Sequence, residues 1–178
     1  MTQSAPTDAI LFPSERARRD AVARRRLVAR LAAVQALYQV YIGGEPPKKV
    51  VTQFLNERLV EEIDGFSLAE VDRKLFSYLV LVIGDEGADL DRLLRPHLPE
   101  EWAIERVEPL LHIILRAAAF ELSSRDTVPP KVVIAQYLTV TESFHDSKEI
   151  GFVNRLLDRL ARELRPEAFG LAAPAAGS

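Results

Sequence analysis

The stretch at about residues 109–124 limits what this chain can fold into more than any other. Wound as a helix, Leu110, Leu111, Ile113, Ile114, Leu115, Ala117, Ala118, Ala119, Phe120 and Leu122 make it apolar on most sides. A helix of that kind must be packed by several neighbours. His112 and Arg116 interrupt it, so it falls short of the roughly 20 consecutive apolar residues of a membrane span. No stretch of the chain approaches that length. Pro109 suits the first helical position, where its missing N–H removes no intrahelical bond. The segment is therefore expected at the centre of a helical bundle, as its most buried element.

The rest of the chain keeps the helical period. Leu27, Leu31, Val34, Tyr38 and Tyr41 recur at spacings of 4, 3, 4 and 3, one apolar stripe. Gly43-Gly44 stops that helix and Pro46-Pro47 restarts the chain. A second helix carries Val50, Phe54, Leu55 and Leu59 and ends near Asp64-Gly65. Ser67, with Glu70 three residues on, reads as a capping box for a third helix striped by Val71, Leu75, Tyr78 and Val82. A bend is expected near Gly84 to Gly87, before Leu90, Leu93 and Leu94. Pro96 and Pro99 bracket a turn, followed by a short segment with Trp102, Ile104 and Val107. Beyond the central helix, Pro129-Pro130 opens a helix striped by Val133, Tyr137, Val140 and Phe144. A last one, about 147–164, turns Val153, Leu157, Leu160 and Leu164 inward. The expectation is all-α with no sheet.

At 178 residues the chain fits one domain or two tightly packed subdomains. The Pro96–Pro99 turn is the expected seam, dividing an N-terminal bundle over 15–95 from a C-terminal bundle over 100–165. Residues 1–14 read as a disordered leader without an apolar signal core, and 166–178 as a mobile tail. The chain has no cysteine, which removes disulfides, thiolate metal sites and cysteine nucleophiles together. A cytoplasmic protein with no membrane partner is the simplest reading.

The net charge of −3 argues against nucleic acid, but its distribution does not. Residues 1–45 hold Arg16, Arg18, Arg19, Arg24, Arg25, Arg26 and Arg30 against four acidic residues, a net of +3, so the remainder carries −6. A basic segment on an acidic body is an electrostatic footprint that the total conceals. On a helix, Arg16, Arg19, Arg26 and Arg30 fall within about 80° of one another. Such a row of guanidinium groups can clamp successive phosphates and stack on unpaired bases. A solvated helix face is the alternative; against it, the row has few acidic partners at i,i+4 and no lysine. Arg26 and Arg30 are both expected on the surface.

Nothing else carries chemistry. Glu142 and His145 form one Glu-x-x-His pair, the unit that di-iron bundles use twice along with two further Glu. A single pair is too little for a metal. Phosphate loops, dinucleotide turns and nucleophile elbows are absent. His112 and Arg116 read as a hydrogen-bonded core pair. No catalytic residue, cofactor or metal is expected.

Four strings, in order, resemble the NusB family of transcription antitermination factors. They are Arg26-Leu-Val-Ala-Arg30-Leu-Ala-Ala-Val-Gln35-Ala-Leu-Tyr38, Leu115-Arg116-Ala-Ala-Ala-Phe120-Glu121-Leu122, Val128-Pro129-Pro-Lys131-Val-Val-Ile134 and Phe152-Val153-Asn154-Arg-Leu-Leu-Asp158. The resemblance implies an all-helical fold of about seven helices in two small bundles. It also implies binding of single-stranded boxA RNA together with the small-subunit ribosomal protein NusE. Such a complex joins RNA polymerase so that ribosomal RNA operons are read through. By position, Arg26, Arg30 and Tyr38 match the family's RNA-facing first helix, and Lys131 a basic position near it. Arg24 and Arg25 lie in the Arg-rich segment without a one-to-one match. With Arg19 from the row, these seven residues are the candidate RNA-binding set.

The chain departs from the family's strings at Ala135-Gln136, where Asn-Glu is usual, at Arg155, usually Gly, and at Thr127, commonly Asp. Two readings stay open: an antitermination factor, and a diverged paralogue serving as a protein or RNA interaction module without boxA specificity. The same fold occurs beside ribosomal RNA cytosine methyltransferases, but no cysteine nucleophile or cofactor-binding region is present here. Whether the chain forms a homodimer through its RNA face is also open.

Overall fold

A computed structural model of the protein describes residues 14–58, 62–63, 66–67, 71–99, 103–124 and 127–171. The segments read as a leader and a tail therefore lie mostly outside the described residues, at 1–13 and 172–178.

The first helix, α1 (Glu15–Gly43), starts where the Ser14 hydroxyl accepts the Ala17 N–H at 3.2 Å. It ends at Gly44, whose φ of 64° lets its N–H turn back to the Val40 carbonyl. Pro47 then opens α2 (Pro47–Gln53), which continues as a π turn over Phe54–Arg58. A minimal hairpin follows, in a fold that is otherwise all-α as expected; it departs only from the expected absence of a sheet. Its strands β1 (Glu62–Ile63) and β2 (Phe66–Ser67) are two residues each, with Ile63 opposite Phe66.

Ser67 is therefore not the cap of the third helix, and Glu70 and Asp64-Gly65 lie outside the described residues. The cap is Asp72, whose Oδ1 accepts the Leu75 N–H at 3.0 Å at the start of α3 (Arg73–Leu94). The helix runs unbroken through Gly84 and Gly87, where a bend was expected. These glycines serve close approach instead. A Cβ on Gly84 would lie 2.6 Å from Pro47 Cγ, and one on Gly87 would lie 3.0 Å from Arg116 Nη1.

Two 3-10 turns, Arg95–His97 and Ile104–Arg106, lead to α4 (Pro109–Ser124); Trp102 lies outside the described residues. The Glu108 carboxylate accepts the Leu110 and Leu111 N–H groups at 3.0 and 2.9 Å and so caps α4. Then come α5 (Pro130–Glu142), α6 (Ser147–Leu164) and a 3-10 turn over Pro166–Phe169, at the start of the stretch read as a tail. The central helix is where the sequence puts it. α1 and α3 pack on one side of α4, α5 and α6 on the other, and Leu111, Ile113 to Leu115 and Ala117 to Leu122 are buried. In α6, Val153, Leu157 and Leu160 face inward as expected, joined by Leu156 and Ala161.

The buried face of α1 differs from the expected stripe. Tyr38 is 37% and Tyr41 60% exposed, while Ala29, Ala32, Ala33, Val34, Ala36 and Leu37 are buried. α1 lies against α2, α3, α4 and α5, and small side chains allow that close approach. The large apolar residues of the stripe mark its margin. Tyr78, in the expected stripe of α3, is likewise half exposed, its ring tilted against Phe120 at 5.5 Å. No helix of the described residues is long and apolar enough to cross a membrane.

Candidate nucleic-acid interface

The basic residues of α1 divide at its entry into the bundle. From Arg16 to Arg26 every arginine is exposed. Arg19 carries one weak contact, an ion pair with Glu15 at 3.7 Å in which both side chains are over 80% exposed. Such a pair contributes little and is easily exchanged for a ligand phosphate. Arg24 and Arg25 are also solvent-facing, and the Arg25 carbonyl accepts the Asp72 N–H at 3.4 Å, tying α1 to the start of α3. Arg26 is exposed and makes no ion pair among the described residues.

Arg30 is different, and its expected place on the surface is corrected. It is 3% exposed. Its Nη2 donates to Glu121 Oε2 at 2.7 Å and its Nε to the same oxygen at 3.2 Å, while Nη1 donates to Gln136 Oε1 at 3.4 Å. Its Cζ lies 5.9 Å from the centroid of the Tyr137 ring. The physical reason is register. Arg30 precedes Ala33, Val34 and Leu37 by 3, 4 and 7 residues, so it shares their buried face. Its guanidinium passes over alanines to reach the one carboxylate on the apolar helix α4. A buried guanidinium in such a place is tolerable only with a hydrogen-bonded partner. Arg30 is thus a brace joining α1, α4 and α5, and its position on α1 is what sets the exposed Arg26 one turn before it.

Of the other expected residues, Tyr38 stands two turns beyond Arg30 at the rim of the buried face, more than a third exposed. Lys131 is exposed in the first turn of α5, its Nζ 5.9 Å from the centroid of Phe169. The hydrogen bond from Arg30 to Gln136 links α1 to α5, the helix whose first turn carries Lys131.

The model of the NusB family matches residues 27–162. The chain belongs to the NusB family. It is 39% identical to the Transcription antitermination protein NusB of Brucella anthropi over 84% of this chain and 89% of that protein. It is 38% identical to the protein of the same name in Rhizobium etli, over 82% and 91%. T. maritima NusB has the same fold, with a TM-score of 0.66 at 24% identity over 82% of this chain and 97% of that one.

The NusB strings acquire physical meaning in this fold. Both charged residues of Leu115-Arg116-Ala-Ala-Ala-Phe120-Glu121-Leu122 hold internal partners. Glu121 takes Arg30. Arg116 donates Nε and Nη2 to Asp91 of α3 at 2.8 and 2.6 Å, and His112 Nε2 lies 2.6 Å from the same carboxylate. Burial alone raises the Asp91 pKa, but the hydrogen bonds and charges of Arg116 and His112 outweigh it and hold it below the ordinary carboxylate value. The pair read from sequence as hydrogen-bonded is thus bridged by a third residue that sequence reading missed.

The departures from the NusB strings leave the core intact. Gln136 keeps a side-chain oxygen on Arg30, and Ala135 and Arg155 are both exposed. Arg165, also missed, is buried at the end of α6. It donates to the carbonyls of Leu122 at 2.8 Å, Val128 at 2.7 Å and Glu121 at 3.1 Å. It closes the carboxyl end of α4 and fixes the loop leading to Lys131. Glu142 ends α5, whereas His145 lies in the turn beyond it, its Nε2 3.6 Å from Glu108 Oε2. The Glu-x-x-His pair is therefore not presented on one helix face. Among the described residues no group of three or more His, Asp or Glu is placed to hold a metal ion.

Proposed function

We propose that this protein is an RNA-binding transcription antitermination factor. It binds boxA-type single-stranded RNA together with the ribosomal protein NusE and joins the RNA polymerase antitermination complex in the cytoplasm. The observation that carries this reading is the first half of α1, where the side chains of Arg16 to Arg26 are exposed on a helix whose other half is locked into the core. A rigid base with exposed guanidinium groups keeps their spacing fixed, which lowers the entropic cost of gripping a flexible strand. The relatives' name, Transcription antitermination protein, supports the same role. Arg19, Arg24, Arg25 and Arg26 supply phosphate contacts. Tyr38 offers an aromatic face and Lys131 a further charge.

The test is a titration of the full chain with boxA-type and scrambled RNA, with and without NusE. Phosphate contacts set a sequence-independent baseline, and only base contacts separate the two RNAs. Tighter binding of boxA in the presence of NusE is the expected result. Equal binding of both RNAs points instead to an interaction module without boxA specificity.

A further inference from the structure

A second group of cations lies outside α1, where α5, α6 and the Pro166–Phe169 turn meet. Lys131 Nζ is 5.9 Å and Arg162 Cζ 4.7 Å from the centroid of the Phe169 ring. The ring is half-buried against the core, and the turn that carries it follows Arg165, which is hydrogen-bonded to three carbonyls. Phe169 is therefore a fixed point. An aromatic face attracts cations within about 6 Å of its centroid. Here one ring has two cations within that range. Lys131 has no acidic partner among the described residues. Arg162 gives only Nε to Asp158 Oδ2 at 2.8 Å, in a pair about half exposed on both sides, and its Nη groups have no hydrogen-bond partner among the described residues. In the ion pairs of the described residues these two cations share one carboxylate, that of Asp158, which leaves positive charge that an anion would relieve.

We infer that Lys131 and Arg162 form a second phosphate-binding site for single-stranded RNA, with Phe169 as the positioning residue that holds both. This rests on the RNA-binding reading above. The site would carry the strand from α1 across α5 to the end of α6.

The experiment measures binding of boxA-type RNA to the full chain across a range of salt. The double variant Asp158→Asn/Arg162→Gln keeps the parent's net charge, so a loss of affinity reports the site and not the overall field. It is expected to bind several-fold more weakly, with the slope of log affinity against log salt reduced by about 0.7, one phosphate of a single strand. Phe169→Leu keeps an apolar side chain in the seat but removes the ring, and is expected to weaken binding while Phe169→Tyr retains it. If Arg26→Ala weakens binding but the double variant and Phe169→Leu match the parent in affinity and slope, the site is overturned and the RNA-binding reading stands. A parent chain without salt-dependent RNA binding overturns both.

Discussion

Glu121 holds Arg30 through a single carboxylate oxygen, 91 residues away in sequence, with the arginine 3% and the glutamate 0% exposed. Removing one member of such a pair leaves the other charged and buried, a loss of about 3–5 kcal/mol. Arg30→Ala is therefore expected to lower the denaturant midpoint sharply. Arg26→Ala, one turn earlier and exposed, should stay within about 0.5 kcal/mol of the parent. Equal midpoints for the two variants would remove Arg30 from the core.

Two glycines offer a matched comparison. In a helix interior, Gly to Ala gains up to about 1 kcal/mol from backbone propensity. Gly151 of α6 has nothing within 4 Å of an added Cβ, so Gly151→Ala should stabilise by that amount. Gly84→Ala would put its Cβ 2.6 Å from Pro47 Cγ. Overpacking of that kind costs about 1–3 kcal/mol, so the sign reverses. Thermal unfolding of both variants checks this; a stabilised Gly84→Ala would mean that α2 does not rest on α3 there.

Much of this arrangement is legible in the sequence, and the parts that are not share a cause. Ten apolar residues over one short stretch require α4 to be central, and glycine and proline pairs mark the ends of α1 and α2. On α1 size does not decide burial: Tyr38 and Tyr41 are larger than Ala33 and Ala36 but lie at the margin. Arg30 does leave a trace. An arginine 3, 4 and 7 residues before Ala33, Val34 and Leu37 lies on the same face, and a lone glutamate on an apolar helix requires a cation. That they answer each other is a long-range fact that no local period contains. The same holds for Arg165, whose acceptors lie 37 to 44 residues away.

Arg165→Ala removes three hydrogen bonds and leaves carbonyls at the end of α4 without that donor. Leaving even one buried acceptor unsatisfied costs about 1–3 kcal/mol. A loss in that range or above is expected in denaturant unfolding. No loss would show that the end of α6 is not docked on α4.

Asp91 makes stability depend on acid. Its pKa is depressed in the folded chain, so its contribution is present above the unfolded-state value of about 3.9 and is lost as pH falls through the lower folded value. Asp91→Asn should be less stable than the parent near neutral pH, with the gap narrowing below about pH 4. A gap of constant size across that range would mean that the Arg116 and His112 contacts do not hold the carboxylate in its charged form.

The claim that the exposed half of α1 grips RNA is tested most directly by the salt dependence of boxA-type RNA binding to the parent and to Arg19→Gln/Arg26→Gln. Both side chains are exposed, so the variant should unfold with the parent. If each contacts one phosphate of a single strand, the slope of log affinity against log salt should fall by about 1.4, twice the single-phosphate value of about 0.7. An unchanged slope and affinity would contradict the account and leave these arginines as a solvated helix face.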